Sequence, residues 1–241
     1  SPGGNGGGID FTGSTQIVVA CTIAGNAAAG GGLGANAGPD GSGGGYSSES
    51  AATIGGFLNN IIALNVGQTP DVSGVFNSLG YNLIGATNGS YGFTASGDLV
   101  GSTNSPLNPC VLPLADNDGP TPTMALMLGS PAIDAGAPLG APATDQRGVA
   151  RPQSSRADIG AYEFVFPTLQ ITSAKFLSAS NFWLQACGLP NQTYALQTST
   201  SLFNWSNLTD LLADQNGRCS FIDSNLANCT ARFYRLKLVA P

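Results

Sequence analysis

The tetrapeptide Gly6-Gly7-Gly8-Ile9 recurs as Gly30-Gly31-Gly32-Leu33, 24 residues later, and the run CTIAGN (21–26) has a looser counterpart in NIIALN (60–65). Both runs are short, apolar and end in Asn. A period near this length, built from short strands and Gly/Asn turns, matches one coil of a parallel β-helix, in which no coil can bury its own apolar side and stacking supplies the core. Alternation along a strand puts Ile17, Val19, Cys21 and Ile23 on one face, which is expected to fill the coils, and Val18, Ala20 and Thr22 on the other. Asn26 and Asn65, at the strand ends, suit turns with left-handed backbone angles, and their side chains are expected to bond from coil to coil. The stretch Gly34 to Ser50 breaks the period and reads as a loop extruded from one corner, as a spacer or as a binding insertion.

Composition narrows the function classes. Of the 241 residues 42% are apolar and only 9% charged, against roughly 25% charged in an ordinary domain. No apolar run reaches the ~18 residues of a membrane-spanning helix. Residues 1–146 hold nine carboxylates and no Lys, Arg or His, so the surface repels phosphate and nucleic acid is not an expected partner. From residue 164 onward five basic and three acidic groups reverse the balance, which points to two modules. The chain contains no His, which removes the usual general base and the commonest metal ligand, so any catalysis would rest on carboxylates. No metal or other cofactor is expected. The five Cys (21, 110, 187, 219 and 229) lack zinc spacing. Cys21 reads as a small core residue, and a Cys219–Cys229 bridge fits the spacing, although sequence does not set connectivity.

From Asn59 onward the chain reads NNIIALN, PDVSG, SLGYNLIG, GDLVG, PLADNDGPTPTMAL, GSPAIDAG, ATDQRGVARP and ADIGAYE. This succession resembles the choice-of-anchor Q domain, over residues 1–163. The resemblance implies an exported bacterial protein in which right-handed β-helix repeats precede a terminal block and a surface-anchoring element follows it; it implies no catalytic residue and no substrate. Where relatives carry a His in the PTPT motif this chain has Met124, and Ala141 and Ala157 stand where relatives often carry a Cys pair. Because the chain opens in mid-repeat, it is expected to be the C-terminal piece of a longer exported protein.

The candidate sites follow from where the charges fall. Asp116 and Asp118 are a close acidic pair in ADNDGPTP, which reads as a turn; a catalytic pair or a cation site are the alternatives. The mixed-charge cluster Asp134, Asp145, Arg147, Arg151, Asp158 and Glu163, with Arg156, reads as a polar cap closing the last coil, where non-repetitive backbone needs hydrogen-bond partners. A ligand pocket is the alternative. After a linker at 164–168, LQITSAK, NFWLQACG, TYALQTS, CSFID and RFYRLKL are short strands that predict a small antiparallel β-sandwich of fibronectin III or immunoglobulin type over residues 169–241. The same region resembles C-terminal modules of large exported proteins from Verrucomicrobia-like bacteria. Phe182, Leu184, Tyr194, Leu196 and Phe221 are its expected core. Trp183 and Trp205 are candidates for stacking on a sugar, or packed side chains.

The sequence thus predicts an all-β chain, a β-helix end with its cap followed by a sandwich, acting as a non-catalytic secreted or cell-surface structural or adhesive protein. Two other readings are a carbohydrate-binding tail of a polysaccharide-degrading β-helix and a self-assembling filament subunit. Its expected partners are an extracellular polysaccharide and, through open strand edges, other copies of itself.

Overall fold

The computed structural model describes residues 7–12, 15, 17–28, 41–48, 56–215, 217–226 and 231–239. Among these there is no helix, and the chain divides into two compact units, Ser1–Phe164 and Val165–Pro241. Among the described residues no helix is long and apolar enough to cross a membrane.

In the first unit the chain makes successive passes, each leaving one short strand in each of up to three parallel sheets. The first pass gives β1 (Ile9–Phe11), β2 (Val18–Val19) and β3 (Thr22–Ala24); the second gives β4 (Tyr46–Ser48), β5 (Phe57–Leu58) and β6 (Ile61–Ala63). The third gives β7 (Val72–Val75), β8 (Ser78–Gly80) and β9 (Leu83–Ile84), and the fourth β10 (Ser90–Tyr91) and β11 (Leu99–Val100). Sheet A has the order β1-β4-β7-β10, sheet B β2-β5-β8 and sheet C β3-β6-β9-β11. Thr22 pairs with Ile61, and Ile61 with Leu83, so CTIAGN and NIIALN are neighbours in one sheet.

Three sequence expectations change here. The Gly repeat at 30–33 lies outside the described residues, and the passes are not of equal length: the backbone-to-side-chain bonds that join one pass to the next span 39, 22 and 16 residues. The segment expected to be an extruded loop contains β4, which pairs with β1 and β7 and places Tyr46 in the core. Ile17 is 75% exposed, whereas Val18 packs on the core with Ile23. Simple alternation fails because Ala20 sits at φ 51°, and this left-handed corner resets which face follows.

That corner recurs. Ala20, Asn59, Tyr81 and Gly97 all have positive φ, and the next residues are Cys21, Asn60, Asn82 and Asp98. The Cys21 N–H donates to Asn60 Oδ1 (3.0 Å), the Asn60 N–H to Asn82 Oδ1 (3.1 Å) and the Asn82 N–H to Asp98 Oδ1 (3.0 Å). Asn60 Nδ2 donates back to the Val18 carbonyl, and Asn82 Nδ2 to that of Phe57. A second ladder runs from Asn26 to Asn65, whose amide donates to Asp71 Oδ1. Here the left-handed residues are Gly25 and Leu64, each one before the Asn.

Two apolar clusters result. Inside the passes, Ile23, Ile62 and Ile84 stack beside the rings of Tyr46, Phe57, Phe76 and Phe93, which meet mainly edge to face at 4.9–5.9 Å. On the opposite face of sheet C, Ile61, Ala63 and Leu83 pack under Leu126, Ala132 and Ile159. Sheet C is therefore buried on both faces, which is why its strands read as unbroken apolar runs.

The second unit has two antiparallel sheets. One is ordered β12 (Gln170–Phe176), β13 (Phe182–Cys187), β16 (Arg218–Asp223); the other β15 (Ser206–Leu212), β14 (Thr193–Ser199), β17 (Phe233–Leu238). Leu184, Ala186, Tyr194 and Leu196 are buried; Phe182 and Phe221 are only half-buried. β15 was not among the expected strands, because its SNLTDLL sequence is largely exposed and lacks an apolar face.

Asn82 is fully buried, and replacing it by Ala strands the Asn60 N–H and the Phe57 carbonyl. Asn82→Ala should destabilise the first unit by about 2–6 kcal/mol, at ~1–3 kcal/mol for each of the two buried groups left unpaired. Denaturant unfolding measures it, with Asn191→Ala in the second unit as the control.

Candidate functional site

The mixed-charge cluster comes together on the flank of sheet C. The segment that carries it bonds to more than one pass: the Ala161 N–H to Thr22 Oγ1, the Gly160 N–H to the Asn59 carbonyl, the Ala137 N–H to Asn59 Oδ1 and the Leu107 N–H to the Gly85 carbonyl. The cluster's segment thus bonds to several passes and not to the final one alone. An exposed apolar face on sheet C draws the segment sideways.

Each acid in the cluster accepts from backbone. Asp145 Oδ1 accepts from the Arg147 and Val149 N–H groups, and Oδ2 from the Glu163 N–H and from Arg147 Nε. Glu163 takes the Gln153 N–H on Oε1 and the Asp158 N–H on Oε2 (both 2.9 Å). Asp158 takes the N–H groups of Asp134 and Phe164, and Asp134 that of Arg156. The guanidinium groups donate to carbonyls: Arg147 to Glu163, Arg151 to Asp158 and Gly160, and Arg156 to Gly136. Two ion pairs lie within, Arg147–Asp145 at 2.7 Å and Arg151–Glu163 at 3.3 Å, and Arg147 stacks 3.5 Å over the Tyr162 ring.

These surroundings move the titrations. Burial alone would raise Asp145, but the N–H groups of Glu163, Val149 and Arg147 and the Arg147 guanidinium outweigh it and hold the carboxyl below its ordinary value. At Asp158 burial wins over its two backbone donors, with the charges of Glu163 and Asp134 adding to it, and the group is pushed up to about 6. Burial also lowers Arg151, against the opposing pull of Glu163, Asp145 and Asp158.

No family model, curated protein or solved structure matches this chain. The site must be read from its own chemistry. Among the described residues no three His, Cys, Asp or Glu side chains stand close enough to hold a metal. Asp116 and Asp118 are exposed at the tip of a hairpin, with the Asp118 N–H on Asp116 Oδ1 and Asn117 tied to Thr123. That is the turn chemistry of the motif.

Cys21, Cys110, Cys187 and Cys219 are free thiols, and burial raises Cys21 and Cys219. Cys229, the expected partner of Cys219, lies outside the described residues. Trp183 and Trp205 are not brought together on one strand or sheet edge. Trp183 lies on β13 with the Lys175 ammonium 5.2 Å from its ring, and Trp205 precedes β15 with Arg235 at 4.4 Å. A cation over each ring competes with a sugar for the same face.

Sequence reasoning placed Arg156 with the cluster but missed its neighbours Asn59 and Tyr81. Asn59 anchors the segment to β6's corner, and the guanidinium of Arg156 lies 5.0 Å over the Tyr81 ring beside a cavity of about 340 Å³. Asp98 ends the first ladder, a role detectable from the likeness of NLIG (82–85) to DLVG (98–101).

Asp145→Asn places an amide against the Arg147 and Glu163 donors, and should cost about 3–5 kcal/mol, the toll of breaking a buried pair. A lowered Tm of the first unit checks this. The two acids act with opposite signs on the pH dependence. Asp145, depressed, adds stability above its unfolded pKa that is lost as pH falls through its folded value. Asp158, raised, adds stability that is complete below its unfolded value and lost as pH rises through about 6. The fall in Tm over that acid-to-neutral window should be smaller in Asp158→Asn than in the parent, whatever the variant's absolute Tm.

Proposed function

We propose that this chain is a non-catalytic structural and adhesive module of a bacterial protein displayed at the cell surface or secreted. In this reading the first unit is the end of a right-handed parallel β-helix of the choice-of-anchor Q type, its flank sealed by the 102–164 segment. The second unit is a β-sandwich appended to it. The observation that carries the reading is the use made of the cluster: Asp134, Asp145, Asp158 and Glu163 all accept backbone N–H groups, and the arginines donate to backbone carbonyls. A general acid and base need an open face toward substrate. Asp145, Asp158 and Glu163 are buried under their own backbone.

Parallel passes joined by ladders suit a rod that must stay folded outside the cell. Before Arg147 the chain has no Lys or Arg, so trypsin-like proteases find no cleavage site there. The resemblance of PLADNDGPTPT through DIGAYE to an exported family supports the same setting.

Incubating the full chain with a panel of neutral and acidic polysaccharides, and assaying reducing ends and unsaturated products, tests the reading. No turnover is expected, together with a lowered Tm in Asp145→Asn and Arg147→Ala. Turnover that disappears in Asp145→Asn at unchanged Tm would overturn it.

A further inference from the structure

The cavity beside the cluster is lined by two turns, one running from Ala137 to Ala143 and the other holding Arg151, Pro152, Ser155 and Arg156. Its walls are chiefly small and apolar, with Pro138, Leu139 and Pro152 presenting C–H surface. The charge balance within it is uneven. Among the described residues Arg147 and Arg151 each have a carboxylate within ion-pair distance, whereas Arg156 has none: its guanidinium donates one bond, to the Gly136 carbonyl, and lies over Tyr81. Asp134 accepts the backbone N–H of Arg156 and not its side chain. In the same wall Arg151 Nε is buried without a hydrogen-bond partner. The Ser155 side chain is exposed.

We propose that this cavity binds a single sugar acid, a hexuronate, with its carboxylate on Arg156. The chemistry selects that class in three steps. A guanidinium with free N–H donors pairs with a planar carboxylate through parallel hydrogen bonds. Among the described residues Arg156 is the one guanidinium of the unit without a carboxylate partner, and residues 1–164 hold eleven carboxylates to three arginines, so a singly charged anion is favoured over phosphate or a dianion. A cavity of about 340 Å³ lies at the small end of ligand pockets, which run roughly from 300 to 1,000 Å³, and fits one ring whose C–H face meets the prolines and Leu139 while the Ser155 hydroxyl meets a ring hydroxyl.

The inference gives a ligand to the adhesive part of the reading above and rests on it. The two fail separately, because absence of hexuronate binding leaves the turnover and melting assays unaffected. The test is an NMR titration of the full chain with galacturonate and glucuronate, following the Arg Nε–Hε signals and the amides of Ser155 and Ala157. Galactose, glucose and acetate are the comparisons. Saturable shifts are expected with at least one uronate, none with the neutral sugars, and binding at least about tenfold weaker with acetate. Arg156→Gln should weaken uronate binding by about tenfold or more, and Arg156→Lys by less. Since Arg156 also holds Gly136, Ala141→Trp is the second variant: it fills the cavity while keeping Arg156 and its bond to Gly136, and should abolish the shifts at the parent Tm. No saturable shift with either uronate, acetate binding as tightly as uronate, or binding unchanged in both Arg156→Gln and Ala141→Trp would overturn the proposal.

Discussion

Strands of two to four residues leave much of the backbone at corners, and in the first unit those corners turn inward against the next pass. Buried N–H and C=O groups without partners cost more than such short strands can return in ladder bonds. The Asn side chain solves this at a particular place. One residue takes left-handed angles to turn the chain, and the next presents an amide whose oxygen accepts from the pass before it and whose nitrogen returns a bond to a carbonyl there. The same bonds fix register, since slipping one residue would move Asn60 and Asn82 off their partners and turn Ile62 and Ile84 away from the aromatic column. Asp98 and Asp71 then act as terminators. A carboxylate accepts from the Asn behind it but has no N–H to pass forward, and Asp98 spends its second oxygen locally, on Ser78 and the Ala95 N–H.

Register carries through to the flank. With Ile23, Ile62 and Ile84 turned inward, Thr22, Ile61 and Leu83 must face outward, and this apolar face needs cover. The covering segment contains few regular strands, so its backbone groups lack ladder partners. Three arginines and four acids supply them. That is a costly way to satisfy backbone, because each ion is desolvated, and it holds only as a complete set. The direction of the Asp158 titration, raised while Asp145 is lowered, records deeper burial, two backbone donors against four donors, and the added charges of Glu163 and Asp134.

What was legible in the sequence follows the same physics. All-β structure, parallel in one part and antiparallel in another, was readable because apolar runs of strand length carry it. The kinship of CTIAGN with NIIALN was visible because the ladder demands Asn at a fixed place. Tyr46–Ser48 was hidden, since a three-residue strand with two serines inside a Gly-rich stretch has no periodic signal, and only its neighbours in sheet A make it a strand. Ile17 and Val18 were exchanged because alternation assumes extended backbone through Ala20, which is left-handed. The cluster residues stood out as the few charges in a nearly uncharged chain, yet their partners are mostly backbone atoms, which leave no mark in sequence. The cavity by Arg156 was invisible for a further reason: its walls are Ala, Pro and Gly from two separated turns.

Arg156 marks the limit of a purely structural account. If the arginines served only to satisfy carbonyls, each would be expected to carry a counter-ion as well, since an unpaired guanidinium in a partly buried site forfeits hydration without recovering Coulomb energy. Arg147 and Arg151 meet that expectation. Among the described residues Arg156 has a single carbonyl and the face of a tyrosine for partners, beside an open cavity, in the unit that is otherwise the most acidic part of the chain. Four acids lie within the same network, and every one of them is already committed to backbone N–H groups. Arg156 is therefore the guanidinium of the cluster left for an anion from outside the chain.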